Sequence, residues 1–176
     1  CLGGSAYELG YSIVQTTDGG YVVTGNAASN DGDVSGIHYP LDFWVVKLDN
    51  IGTIQWQKCY GGSFSETPRE IQQTLDGGYI IVGSTDSKDG DVTSQYGNED
   101  FWLLKISDAG ELQWQKSLGG TLYDQPYSVK QTTDGGYIVA GVSTSNDGDL
   151  TGNNGSNDVW VVKLGPPPCI PSIKIS

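Results

Sequence analysis

The chain has 176 residues, enough for one ordinary domain, with 26 Gly, 10 Tyr, 5 Trp and no Met. Its 21 acidic residues against 9 basic ones give a formal net charge of −12, which disfavours nucleic acid and anionic membrane surfaces as partners, since both demand a basic face. No apolar run is long enough to cross a membrane and no secretory signal pattern is present, so membrane insertion is not expected.

Taken in order, the chain repeats itself three times. Gly3-Gly4 recurs as Gly61-Gly62 and Gly119-Gly120. A short first strand follows, ending on Gln15, Gln73 or Gln131. Next comes Asp18-Gly19-Gly20-Tyr21-Val22-Val23-Thr24-Gly25, which returns as Asp76–Gly83 and Asp134–Gly141, each copy 58 residues after the last. Asp31-Gly32-Asp33 recurs at Asp89-Gly90-Asp91 and Asp147-Gly148-Asp149. Trp44, Trp102 and Trp160 keep step, as do Lys47, Lys105 and Lys163. A constant period near 50 residues is the mark of a repeat architecture.

The second copy is complete and predicts four strands. Glu70–Thr74 is the first. Asp76-Gly77 reads as a two-residue hairpin of type I′, with positive φ at both centre positions. The returning strand Tyr79–Val82 is apolar on both faces, so it belongs inside a sheet covered from both sides. A polar loop from Ser84 to Asp100 leads to the third strand, Phe101–Ile106, again almost wholly apolar. After the Asp108-Ala109-Gly110 turn, Leu112–Lys116 alternates apolar and polar, as an outer strand with one wet face does. Such a sheet buries both faces only between two like neighbours, which describes a propeller blade. The expected fold is therefore all-β, a β-propeller-type array of three four-stranded antiparallel blades. The blades fall at residues 1–58, 59–116 and 117–164, with a Pro-rich linker at 165–176. In a propeller the first strand lines the central channel. Gln15, Gln73 and Gln131 then either bond a neighbouring blade's backbone or face a channel ligand.

The third copy stops at Gly165-Pro166-Pro167-Pro168, because Pro offers no ladder N–H. Its fourth strand is missing at the expected place. A strand outside this chain would complete the blade if the ring closes by overlapping its ends, although Ile173-Lys174-Ile175 alternates and is an alternative filler. Three blades are fewer than the about four to eight of closed rings. The chain thus reads as a mature or excised piece of a larger ring, as half of a pair, or as an open arc that meets a partner.

The ordered set Asp-Gly-Gly-Tyr-Ile-Val, Ser-Asn-Asp-Gly-Asp, Asp-Val-Trp-Val-Val-Lys-Leu and Trp-Gln-Lys, spread over residues 1–164, resembles a repeat family of large secreted and cell-surface proteins of Bacteroidota. Members often carry a C-terminal sorting domain for type IX secretion. The resemblance implies an exported, propeller-like array at the cell surface or outside the cell, and it implies no catalytic activity. Kelch propellers share Gly-Gly and Trp marks but match the Asp-Gly-Gly-Tyr element less well.

Chemistry is sought first in the acidic loops. Ser29, Asp31, Asp33 and Ser35 place oxygens at alternate positions, as do Ser87, Asp89, Asp91 and Thr93, and Ser145, Asp147, Asp149 and Thr151. Each loop returns to one more Asp before its Trp strand: Asp42, Asp100 or Asp158. Alternating oxygens on a Gly-bent loop are how a chain wraps Ca²⁺, which makes these nine aspartates the candidate metal ligands. The alternative is a set of Asx turns bonding backbone N–H groups. Trp44, Trp102 and Trp160 are expected in the core. Trp56 and Trp114 are expected against the next blade, with sugar stacking as the alternative. Cys1 and Cys59 share a repeat position with Ser117, which marks them as small fillers; a Cys1–Cys169 bridge is the competing reading.

No nucleophile elbow, HExxH, Walker loop or Cys/His pair is present. A single active site should break the repeat symmetry, and the residues that do so are few: His38, Glu66, Arg69 (the chain's only Arg) and Tyr123. The expected function is a non-enzymatic extracellular module for adhesion or scaffolding, stabilised by calcium. Its partners would be a glycan, a surface protein, or further blades of the same or another chain. The alternative is part of a polysaccharide-acting propeller enzyme with its site at the channel mouth, where acidic residues abound.

Overall fold

The computed structural model describes residues 1–166 and 172–174. Each repeat forms one antiparallel meander. The first holds β1 (Glu8–Gln15), β2 (Tyr21–Ala27), β3 (Asp42–Leu48) and β4 (Ile54–Tyr60). The second holds β5 (Glu66–Gln73), β6 (Tyr79–Thr85), β7 (Asp100–Ile106) and β8 (Leu112–Leu118). The third holds β9 (Asp124–Gln131), β10 (Tyr137–Ser143), β11 (Asp158–Leu164) and β12 (Ser172–Lys174). The result is an all-β, blade-like stack of three sheets. Among the described residues the sheets do not close into a ring.

The sheets pack face to face, and the apolar strands do the packing. Between the first two sheets lie Val22, Phe43, Val45 and Tyr60 on one side and Ile71, Tyr79, Ile81, Trp102 and Leu104 on the other. Between the second and third lie Ile80, Val82, Phe101, Leu103 and Leu118, facing Val129, Tyr137, Val139, Val162 and Leu164. β6 and β7 of the middle sheet are buried along their whole length, as the two-sided apolar pattern requires. β10 has the same kind of sequence but alternates buried and half-buried, because one face of the third sheet has no neighbour. Tilted aromatic pairs bridge both seams, Phe43–Trp102 with ring centroids 4.8 Å apart and Phe101–Trp160 at 4.5 Å. Trp56 is half-buried against the first seam and donates Nε1–H to the Asp108 carbonyl of the next blade (3.1 Å). Gln73 Oε1 accepts the Thr17 N–H and Gln131 Oε1 accepts the Leu75 N–H, both at 2.9 Å. These two glutamines therefore lock each blade to the backbone of the one before it.

Two local expectations need correction. The Asp-Gly turn is not type I′. Thr74 N–H donates to the Gly78 carbonyl and Gly77 N–H to the Thr74 carbonyl, both at 2.9 Å, and only Gly77 has positive φ (86°). This is a type I turn followed by a left-handed glycine, the three-residue hairpin with a G1 bulge. The reason is the Asp side chain: Asp76 Oδ1 accepts the Gly78 N–H (3.1 Å), and Oδ2 lies 2.9 Å from the buried Lys105 Nζ. Lys47 with Asp18 and Lys163 with Asp134 repeat the clasp at 2.8 Å.

The second correction concerns the fourth strand of the third sheet, expected from outside this chain with Ile173-Lys174-Ile175 as the alternative filler. Ser172–Lys174 fills it, pairing antiparallel with Leu164, Lys163 and Val162. The outer edge of β11 offers a row of unpaired N–H and C=O groups, and an extended segment just past the prolines satisfies it. Cys169 lies outside the described residues; among the described residues Cys1 and Cys59 are free thiols.

Candidate functional site

The acidic loops prove to be clasps. Asp31 Oδ1 accepts the Ser5 N–H (2.7 Å), Asp33 Oδ2 the Gly3 N–H (3.0 Å) and Ser29 Oγ the Ala6 N–H (2.8 Å). In the second loop Asp89, Asp91 and Ser87 accept from Ser63 (2.7 Å), Gly61 (3.2 Å) and Phe64 (2.9 Å). In the third, Asp147, Asp149 and Ser145 accept from Thr121 (2.8 Å), Gly119 (3.3 Å) and Leu122 (3.0 Å). Each loop thus folds over the Gly-Gly corner that delivers the chain into its own blade. Hydrogen bonds from Ser5 hold the Asp31 carboxyl below its usual range, and those from Ser63 do the same to Asp89.

The aspartates before the Trp strands behave as the Asx alternative expects. Asp42 Oδ2 accepts the His38 N–H (2.8 Å), Asp100 Oδ2 the Tyr96 N–H (2.5 Å) and Asp158 Oδ2 the Asn154 N–H (2.7 Å). Among the described residues no three His, Cys, Asp or Glu side chains come together as an ion site. The nine candidate ligands thus do not converge on one another, whereas Ca²⁺ takes 6–8 oxygens around one point. Each keeps an oxygen turned to an N–H donor instead.

Asp42 and Asp100 have a second feature, which the sequence reading missed. Each meets an acidic residue of the next blade across the seam: Asp42 faces Glu66 and Asp100 faces Asp124. All four are fully buried. A methyl group on Gly61 would lie 2.5 Å from both Asp42 Oδ1 and Glu66 Oε2; on Gly119 it would lie 2.3 Å from Asp100 Oδ1 and 2.8 Å from Asp124 Oδ2. Glycine is required at both corners by this close approach. Asp42 Oδ1 and Asp100 Oδ1 have no hydrogen-bond partner among the described residues. Burial raises the Asp42 carboxyl and pushes Asp100 up to about 6 and Glu66 up to about 7. Two facing buried carboxyls cannot both ionise cheaply, which favours the protonated form of one member of each pair. The signal was present: residues 8, 66 and 124 are all acidic, at the same register.

One further cluster breaks the repeat symmetry. On β1 the pairing with β2 shifts between Gly10 and Ser12, leaving Tyr11 as the extra residue. On β5 it shifts between Pro68 and Glu70, leaving Arg69. On β9 it passes from Pro126 to Ser128, leaving Tyr127. Bulges re-aim side chains, and these three stand at one register on the innermost strand of each blade. Arg69 Cζ lies 5.6 Å from the Tyr11 ring centroid and 5.7 Å from that of Tyr127, within cation–π range of both. Arg69 Nε is buried without a hydrogen-bond partner among the described residues. Of the asymmetric residues picked from sequence, Arg69 alone is joined to a polar cluster of this kind. His38 caps Asp42 through Nδ1 (2.9 Å), Glu66 belongs to the seam and has acidic register mates in Glu8 and Asp124, so it does not break the symmetry, and Tyr123 is exposed just before β9. The legible signal was the run Gly10, Pro68 and Pro126, since Pro inside a strand marks a bulge or an edge.

No protein-family model matches the chain, and no curated protein matches it. Among solved structures it is similar to a Glu150Gln mutant of the apocarotenoid oxygenase of Synechocystis, at 13% identity and a TM-score of 0.46. That likeness covers 90% of this chain and 36% of the oxygenase chain.

Proposed function

We propose that this chain is a non-enzymatic binding module of a secreted or cell-surface protein. Its blades are part of a larger propeller-type ring, and its ligand is a glycan or surface protein met at the innermost strands. The observation that carries this reading is the Tyr11–Arg69–Tyr127 cluster. Three bulges aim unlike side chains at one place on an otherwise repetitive scaffold, and a cation held between two aromatic rings is recognition chemistry. Glycoside hydrolysis asks instead for two carboxylates flanking a substrate bond, and the carboxylate pairs at the seams are sealed from solvent.

The ring reading is supported by the two end faces. Ile13 is 63% exposed while its register mates Ile71 and Val129 are 3% and 0% exposed. Val159 is 79% exposed while Phe43 and Phe101 are fully buried. Both faces carry the residues that bury a neighbouring blade. The test is a screen of glycans and surface-protein fragments against the wild-type chain and a Y11A/R69Q/Y127A variant. A ligand held by the first and lost by the second supports the module. A ligand held equally by both places binding elsewhere and defeats this assignment.

A further inference from the structure

Resting on that reading of the cluster, we propose that Arg69 is an anion-reading centre whose ligand is a glycan unit carrying a single carboxylate, such as a terminal uronic acid. The chain has 21 acidic residues and one arginine. Five of the eight lysines, Lys47, Lys58, Lys105, Lys130 and Lys163, have a carboxylate within 3.1 Å; among the described residues Lys88 and Lys116 have none. Arg69 has no carboxylate and no hydrogen-bond acceptor among the described residues, and its Nε–H is buried and unmet. Its two aromatic neighbours hold the guanidinium without neutralising it, so it is free to take an anionic partner. Its planar fork matches a carboxylate through two parallel N–H···O bonds.

Tyr11 and Tyr127 hold that fork from two blades, so little side-chain freedom remains to be lost on binding. Both rings stay accessible, 36% and 50% exposed, and an exposed phenol ring presents an apolar face and a hydroxyl to a pyranose. Gln125 adds amide chemistry beside them, its Oε1 3.4 Å from the Tyr127 hydroxyl. The net charge of −12 argues against densely charged polymers, whose repeated anions would be repelled by the rest of the surface. One carboxylate on an otherwise neutral glycan meets the arginine without that penalty.

The test uses two trisaccharides that differ only in their terminal unit, glucuronic acid or glucose, titrated into the intact chain by calorimetry. The expected result is that the acidic trisaccharide binds about tenfold or more tightly than its neutral twin, the effect of a charge-assisted hydrogen-bonded pair. Arg69→Gln should erase that difference while leaving the circular dichroism and melting temperature unchanged, and Arg69→Lys should restore part of it. Tyr127→Ala should weaken both sugars alike, as loss of a stacking face does. Equal binding of the twins overturns the acidic ligand but leaves the module reading intact. Displacement of the acidic trisaccharide by inorganic sulfate as readily as by free glucuronate overturns the sugar, since the site would then read any anion. An acidic peptide that outcompetes it does the same. Binding of neither trisaccharide to the wild-type chain also overturns the proposal; the module itself falls only if Y11A/R69Q/Y127A also spares every ligand found in the wider screen.

Discussion

Ser117 stands where the first two repeats carry Cys1 and Cys59, and its hydroxyl is buried with no partner. A buried unmet donor is a standing cost, and the sulfur at the same register in blade one shows that the site wants bulk rather than polarity. Ser117→Ala is therefore expected to leave stability unchanged or raise it by about 1 kcal/mol, read as a shift in the urea midpoint at constant slope. A loss larger than about 1 kcal/mol would mean that the hydroxyl has a partner after all. The filler role of this position was legible in the sequence, since a residue that alternates between Cys and Ser across copies has no chemistry to protect. The role of Arg69 was only half legible. Its uniqueness stood out, but its neighbours sit one repeat before and one repeat after it in sequence, at Tyr11 and Tyr127. Only the bulges and the side-by-side inner strands bring them together.

At the scale of elements, strands were easier to read than loops. The apolar runs of β6 and β7 gave their own positions because burial on both faces leaves no polar alternation. The Asp-Gly turn was misread because dipeptide preference for type I′ competes with side-chain bonding, and here the Lys105 clasp to Asp76 wins. The acidic loops were read as ion ligands because alternating oxygens look the same whether they serve a cation or a row of N–H groups. The difference lies in the partner, which is the Gly-Gly corner of the same blade. Since those carboxylates are already engaged, EDTA is expected to leave the melting temperature within about 1 °C, a shift well under the change that loss of one capping hydrogen bond produces. A fall of several degrees, reversed by Ca²⁺, would restore the ion reading.

The clasps and the seam carboxyls give stability opposite pH dependences. Lys47 holds Asp18, and Lys163 holds Asp134, well below the usual carboxylate range; at Asp76 burial pulls upward, but Thr74 and Lys105 prevail. Groups with lowered pKa stabilise above their unfolded value of 3.8, and that contribution is lost as pH falls. Glu66, raised by burial from 4.5 to about 7, works the other way: its folded form keeps a proton the unfolded chain gives up, so stability falls as pH rises between those values. Asp100 does the same between 3.8 and about 6. The melting temperature should therefore peak near pH 4–5 and decline on both sides, unlike the usual optimum between about 5 and 8. Asp42→Asn places an amide donor at the unmet Oδ1, aimed at Glu66, without disturbing the oxygen that accepts the His38 N–H. It should flatten the alkaline limb and stabilise the chain at pH 8 by about 1–3 kcal/mol. A melting temperature that is flat from pH 5 to 8, or a destabilised Asp42→Asn at pH 8, would remove the retained proton from the account.

At the scale of the whole molecule, three register-equivalent residues measure how complete the stack is. Ile13, Ile71 and Val129 occupy one position on β1, β5 and β9, yet only the last two lie under a neighbouring blade. In this chain Ile71→Ala opens a cavity in the first seam and should cost about 2–4 kcal/mol, while Ile13→Ala removes atoms already in water and should cost under about 0.5 kcal/mol. That contrast follows from burial alone and holds whatever the ring. The larger assembly adds a second expectation. When the first sheet is covered, whether by more blades of one polypeptide or by the exposed Val159 face of another copy, Ile13 enters a seam of the same construction. The cost of Ile13→Ala should then climb towards that of Ile71→Ala. Measuring both substitutions by urea unfolding across a range of protein concentrations, and again in any longer polypeptide that carries these repeats, reads the ring directly. If Ile13→Ala stays nearly silent in every context, the first sheet is a true end of the stack. The three blades would then form an open arc with its inner strands, and Arg69 among them, facing solvent.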